Sequence, residues 1–289
     1  MNRRLFLSTA APLLAQTPPA PAPAIPFTCP MDRDVQQPNP GKCPRCGMAL
    51  VANLPEPIEY LLDLRTTPRP IQPAKPATLE FAILHPRTRR PVREFEVMHE
   101  KLFHLFVISG DLTYFAHEHP TPLPNGRFRF ETTLPKPGTY RIACDLFPKG
   151  ATPQFLTRTI FTAGAELKPA PILPPDLVPK RAANLEVTLT TQPAQPLAGL
   201  ETLMFATLRP ADGLEPYLGA YAHMLAASDD LIDVVHDHPL YAYPTETDRP
   251  QIQFNMLFPR ERTYRVWMQF QRKGIVNTAA FNVPVKMLR

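Results

Sequence analysis

Two copies of one histidine spacing limit what this chain can fold into. His104 is followed, after twelve residues, by His117-Glu118-His119-Pro120; His223 is followed, after the same interval, by His236-Asp237-His238-Pro239. Six of the 8 histidines lie in these two copies, so the arrangement is a duplication rather than scatter. Leu102 to Ile108 and Leu112 to Ala116 are apolar, β-prone runs on either side of Ser109-Gly110-Asp111, which reads as a hairpin turn. A two-residue turn at Gly110-Asp111 would pair Ser109 with Leu112 and set His104 opposite His117. Side chains alternate along a strand and directly opposite residues share a face, so His104, His117 and His119 converge. A turn at Asp229-Asp230 does the same for His223, His236 and His238. Three imidazoles on a rigid hairpin suit zinc or copper and leave a coordination position open. Without a metal they would be polar residues of an exposed sheet face or of a Pro-terminated strand.

The rest of the chain supports a mainly β protein. Proline is abundant, 39 residues against 11 glycines, which disfavours long helices and favours stiff extended linkers. Residues 165–182 form one such Pro-rich linker, and the halves it separates match in order. Leu64-Arg65-Thr66-Thr67-Pro68 corresponds to Leu189-Thr190-Thr191-Gln192-Pro193, and Leu79 to Leu84 corresponds to Leu203 to Leu208. After each histidine hairpin, Gly138-Thr139-Tyr140-Arg141-Ile142 corresponds to Arg262-Thr263-Tyr264-Arg265-Val266. The expected architecture is a small Cys-rich metal-binding module, residues 27–53, followed by two tandem immunoglobulin- or cupredoxin-like antiparallel β-sandwich domains, residues 58–164 and 183–289. The proline linker predicts weak coupling between the sandwiches, each binding its own metal. Cys144 alternates with Tyr140 and Ile142 and reads as a core residue. His85 corresponds to Arg209 and reads as a surface residue, whereas His99, near His104, offers a fourth ligand to the first half only.

Asn2-Arg3-Arg4-Leu5-Phe6-Leu7, followed by a short apolar stretch, has the form of a twin-arginine-like export signal over residues 1–15, with a Pro/Ala-rich tether at 16–26. The apolar stretch falls short of the about 20 residues that a membrane span needs. A periplasmic or secreted protein without a membrane span in its mature chain is expected. The net charge of +5 is small and its basic residues are dispersed, so nucleic acid is not an expected partner; oligomeric state stays open.

Residues 27 to 51 read FTCPMDRDVQQPNPGKCPRCGMALV. Cys43-Pro44-Arg45-Cys46 forms a two-thiolate knuckle, Cys29 can fold back onto it, and Met31 and Met48 add thioethers. Such a set suits Cu(I), while three thiolates with a further ligand also suit Zn(II). This stretch resembles the heavy-metal-binding module of copper-transporting ATPases and of adaptors in copper and silver efflux systems, with its Cys-Pro-Met and Pro-Gly-x-Cys-Pro-x-Cys-Gly-Met. The resemblance implies Cys29, Met31, Cys43, Cys46 and Met48 as ligands, with metal-efflux or metalloprotein components as partners. Many members carry His where this chain has Asp32. A disulfide-stapled or structural zinc knuckle is the other reading of these cysteines.

The two halves also resemble a group of exported bacterial proteins with His-Glu-Lys-x-x-His, Asp-Leu and His-x-His-Pro, here His99 to His104, Asp111-Leu112 and His117 to Pro120. Tyr217-Leu218-Gly219-Ala220 resembles the matching region of the second half. That resemblance implies organisation and metal binding, not a reaction. The first functional expectation is therefore an exported heavy-metal-binding protein that buffers or passes on copper, Cu(I) at the sulfur module and Cu(II) or Zn(II) at the histidines. A metal-dependent enzyme with three-His zinc or copper sites comes second, because no general base or substrate pocket is recognisable. Glu118 and Asp237 should point away from the imidazoles, toward solvent or the outer surroundings of the site. A structural or interaction β-sandwich protein is the third reading.

Overall fold

A computed structural model of the chain describes residues 26–45, 47–52, 58–166, 169–243 and 251–288. The stretch expected to be an export signal, most of the Pro/Ala-rich stretch after it and Cys46 lie outside the described residues. No helix occurs among those residues, so none is long and apolar enough to cross a membrane.

The first half is built from β1 (Leu61–Thr67), β2 (Pro76–Leu84), β3 (Phe103–Ser109), β4 (Phe115–Glu118), β5 (Phe128–Thr133), β6 (Thr139–Pro148) and β7 (Gln154–Phe161). The second is built from β8 (Glu186–Gln192), β9 (Glu201–Arg209), β10 (His223–Ser228), β11 (Val234–Asp237), β12 (Gln251–Leu257), β13 (Thr263–Arg272) and β14 (Ile275–Pro284). Each half stacks two antiparallel sheets, and the halves share one topology. The order β7-β6-β3-β4 in the first recurs as β14-β13-β10-β11 in the second, and β1-β2-β5 recurs as β8-β9-β12. The duplication read from the sequence is therefore a duplication of the sandwich. Its alternation is regular: Leu79, Phe81, Leu105, Tyr140, Ile142 and Cys144 fill the first interior, and Met204, Ala206, Met224, Tyr264, Val266 and Met268 fill the second.

The outer faces of the histidine-bearing sheets are not exposed. Phe106 and Ile108 of β3 and Ala143 of β6 pack against Leu225 and Ala227 of β10 and Trp267 of β13, a third apolar cluster joining the halves. Across it Phe115 and Trp267 stack with ring centroids 4.8 Å apart. A sheet covered on both faces needs strands apolar on both, which is how Phe103-His104-Leu105-Phe106-Val107-Ile108 reads. The weak coupling expected from the linker is thus corrected. Leu173 of the linker itself packs on the junction, Asp176 bridges to Asn282 of β14, and Lys180–Arg181 pairs with β8. Truncating Trp267 to Ala should cost about 3–5 kcal/mol. Urea unfolding of the metal-free protein would measure this, and a loss below 1 kcal/mol would mean that the halves do not rest on this contact.

In the cysteine module, Phe27–Thr28 pairs with Gln36–Gln37, and Thr28 bridges to Val51. The Cys43 knuckle closes through Gly47 N donating to the Cys43 carbonyl at 2.9 Å and Cys43 N donating to the Met48 carbonyl at 2.8 Å. Gly47 has φ +73, a conformation that glycine adopts without a side-chain clash.

Candidate metal centre

The hairpins differ in register from the two-residue turns expected. Phe106 pairs with His117 and Leu225 with His236, so His104 is level with His119 and His223 with His238. The loops are longer by two residues because Asp111 accepts from the Ser109 hydroxyl at 2.6 Å and from Thr113 N at 3.2 Å, while Ser109 Oγ accepts from Tyr114 N. Ser228 and Asp230 repeat the device. A shift of two residues preserves the face, so the imidazoles still converge.

His104 Nδ1 lies 3.1 Å from His117 Nε2 and 3.3 Å from His119 Nε2. Outer partners fix which nitrogens carry protons. His104 Nε2–H donates to the Met98 carbonyl at 2.9 Å, and His117 Nδ1–H donates to Gln269 Oε1 at 2.7 Å. The Gln269 amide is itself oriented, because its Nε2 donates to Thr278 Oγ1. In neutral rings, His104 Nδ1 and His117 Nε2 then face each other lone pair to lone pair. Two acceptors at that distance repel unless a cation lies between them. Bonds of about 2.0–2.1 Å to a tetrahedral centre set ligand nitrogens about 3.3 Å apart, close to the spacing here.

The second group differs from the first in one member: the ligand atoms that lie together are those of His99, His223 and His238, with His236 beside them. His223 Nε2–H donates to the Tyr217 carbonyl at 2.8 Å, leaving Nδ1 toward His238 Nε2 at 3.1 Å. His236 Nδ1–H donates to Asp145 Oδ2 at 2.6 Å, and its Nε2 is buried without a hydrogen-bond partner. His99 is the member that comes from the first half. Its ring stacks on His238 at 3.6 Å between centroids, and it groups with His223 and His238 rather than with His104. The expectation that His99 serves the first half is therefore corrected. It is 5% exposed and neither ring nitrogen has a partner. The turn explains its reach: Met98 and Lys101 bridge, with His99 and Glu100 at φ 47 and 65. The corresponding turn, Tyr217 to Ala220, uses Leu218 and Gly219 and packs beside Glu100.

The seven rings form one group at the junction, with His104 and His223 stacked at 6.1 Å between centroids. The rings expected to serve two independent sites therefore adjoin at the interface between the halves. Burial, followed by the influence of His236, pushes His104 down to about 4 and His99 to about 3. Burial likewise lowers His119 to about 3 and holds His223 and His238 well below their ordinary value. These rings are neutral near pH 7, each keeping a single N–H and one bare nitrogen. The cation that would relieve the facing lone pairs is a metal ion.

Glu118 and Asp237 point away from the rings and are half-buried. Burial raises both, Asp237 to about 6, and Asp237 Oδ2 is buried without a partner. His85 lies apart, accepting from Arg87 N in a turn of its own.

Sequence reading missed Asp145 and Gln269, whose signal was their place opposite His104 and His223 in the β6 and β13 ladders. They make the two halves unequal. A carboxylate makes the imidazole it accepts from a stronger ligand than an amide does. Asp145→Asn should weaken binding at the His223 group by about 10–100-fold and leave the His104 group unchanged. Competition against a chromophoric zinc chelator would read this; equal weakening of both would contradict the assignment.

In the sulfur module, Cys43 Sγ donates to Asp32 Oδ2 at 3.2 Å, Cys29 Sγ lies 3.7 Å from the same oxygen, and Asp32 N donates to Cys29 Sγ at 3.2 Å. Asp32 thus completes a possible metal-binding group with Cys29 and Cys43. The thioethers divide differently from expectation. Met48 packs with Met98 and Phe147 of the first sandwich, while Met31 touches both that cluster and the one holding the cysteines. The charge of Asp32 also contributes to raising Asp237 of β11.

A cysteine-bearing module set on two joined sandwiches, with imidazoles gathered at their junction, makes this a tandem β-sandwich protein with candidate metal-binding groups. The family described as a domain of unknown function (DUF8832) matches residues 60–159 and 179–287, and the chain belongs to that family. Residues 27–53 match the heavy metal binding domain. No curated protein matches the chain. Among solved structures, it is similar to the Yersinia pseudotuberculosis adhesin InvE, at 10% identity and TM-score 0.25, over 78% of this chain and 60% of that one. The Escherichia coli adhesin FdeC is similar at 12% identity and TM-score 0.27, over 82% and 70%. A segment of two fibronectin type III domains from chicken tenascin is similar at 13% identity and TM-score 0.24, over 78% and 99%.

Proposed function

We propose that this is an exported, periplasmic or secreted, metal-binding protein that buffers or passes on copper. The observation that carries the reading is the pair of bare nitrogens, His104 Nδ1 and His117 Nε2, held 3.1 Å apart by Met98 and Gln269. His104, His117 and His119 form one imidazole site; His99, His223 and His238, with His236 beside them, form the other. Both suit Cu(II) or Zn(II), whereas Cys29, Cys43, Met31 and Met48 suit Cu(I), Cys46 being the module's remaining thiolate candidate. The test is equilibrium titration of the metal-free mature protein with Cu(II) or Zn(II). Two imidazole-bound equivalents are expected, one of them lost in His117→Ala/His119→Ala. An unchanged stoichiometry in that variant removes the first site from the account.

The sandwich architecture supports a second reading, a structural or adhesive protein in which module and histidines are incidental. That reading predicts no metal of sub-micromolar affinity on the mature chain and no effect of the histidine variants on ion binding.

A further inference from the structure

We propose that the sulfur module hands Cu(I) to the His223 group through Met98 and His99, which would make Met98 a soft metal ligand of a handover site. The inference rests on the metal-handling reading above and assigns it a route. Met98 belongs to neither histidine triplet nor the cysteine motif. It is 1% exposed, within the first sandwich, yet it packs with Met48 of the module, and Met31 extends the same cluster to Cys29 and Cys43. Thioether sulfur selects Cu(I) over harder ions.

The next residue, His99, carries the route onward. One two-residue turn holds Met98 against the module's methionines and His99 against His238, so sulfur and imidazole are consecutive along the chain. His99 presents two buried nitrogens without partners, an arrangement that is costly in a folded protein unless something is bound there. The turn holds His99 and Glu100 at positive φ, where the second half has a glycine at the latter position. Such backbone persists where surrounding structure fixes it, and it clusters at functional sites. The Met98 carbonyl also orients His104, so the same turn is built into the imidazole centre.

The exchange proceeds one ligand at a time. As an imidazole nitrogen bonds to Cu(I), a sulfur–copper bond breaks, and each released thiolate takes up one proton from solvent. The copper stays Cu(I) throughout, so no oxidant or reductant takes part.

The test uses the reduced mature chain under anaerobic conditions, with Cu(I) supplied as its bicinchoninate complex and uptake followed by loss of that colour. Two phases are expected, filling of the sulfur module and then of the imidazoles. Met98→Leu, which keeps apolar volume, should slow the second phase about tenfold while leaving final copper and Zn(II) stoichiometries unchanged. Met48→Leu should weaken filling of the sulfur module, of which Met48 is a candidate ligand, and also slow the second phase; its position in the module keeps the test independent of how Met98→Leu folds. A second phase at the wild-type rate in both variants, with Zn(II) still bound, overturns the route but leaves the metal centre standing. Absence of Zn(II) binding and of any second phase in the wild-type chain overturns both.

Discussion

Saturating Zn(II) should raise the unfolding free energy of the metal-free mature protein by about 4 kcal/mol per imidazole site at a free concentration a thousand times Kd. The size follows from linkage, because an ion that binds only the folded chain stabilises it by mass action, less any binding to unfolded histidines. The geometry makes this more than a local gain. His99 of the first half groups with His223 and His238 of the second, and His117 and His236 each bond across the junction, to Gln269 and Asp145. Metal should therefore tie the sandwiches together and make their unfolding a single transition. Denaturant unfolding with Zn(II) and with chelator measures the difference. In His104→Ala/His223→Ala the metal-dependent increment should vanish, and an increment of unchanged size there would place the ion elsewhere.

The metal-free protein should also lose stability steeply in acid. His99, His104 and His223 are buried and held below the ordinary imidazole range, His99 to about 3 and His104 to about 4. In the unfolded chain they titrate near 6.5. Between those values the unfolded state binds protons that the folded state does not, so stability is full above about pH 6.5 and falls as pH drops toward 4. Each such ring steepens the dependence by about 1.4 kcal/mol per pH unit across that window. Bound metal competes for the same nitrogens and should leave as pH falls below neutrality, with Cu(I) at the thiolates persisting to lower pH. Urea midpoints at pH 7 and pH 5 test the sign. Greater stability at pH 5 would mean that the rings gain protons on folding.

The face on which the imidazoles meet was legible in the sequence, and the reason is specific. The expected register was wrong by two residues, because Asp111 and Asp230 build four-residue loops in place of two-residue turns, but an even shift leaves every side chain on its face. The duplicated sandwich and the core placement of Cys144 followed from alternation in the same way. What was not legible was the contact between the halves. The linker's prolines argued for separation, whereas the opposing signal, strands apolar on both faces around Phe106, Ile108, Leu225 and Trp267, matters only once two such faces are known to meet. Asp145, Gln269 and the regrouping of His99 depend on that meeting, since each acts on a ring from the other half.

The central claim is that the two histidine groups, His104 with His117 and His119 and His99 with His223 and His238, form adjoining metal sites at the junction of the sandwiches. Elemental analysis of the protein purified from its native compartment without added metal tests it most directly, with His104→Ala/His223→Ala purified in parallel. The account predicts copper or zinc on the wild-type chain and loss of the imidazole-bound share from the variant. Equal metal content in the two proteins, or none in the wild type, would contradict it.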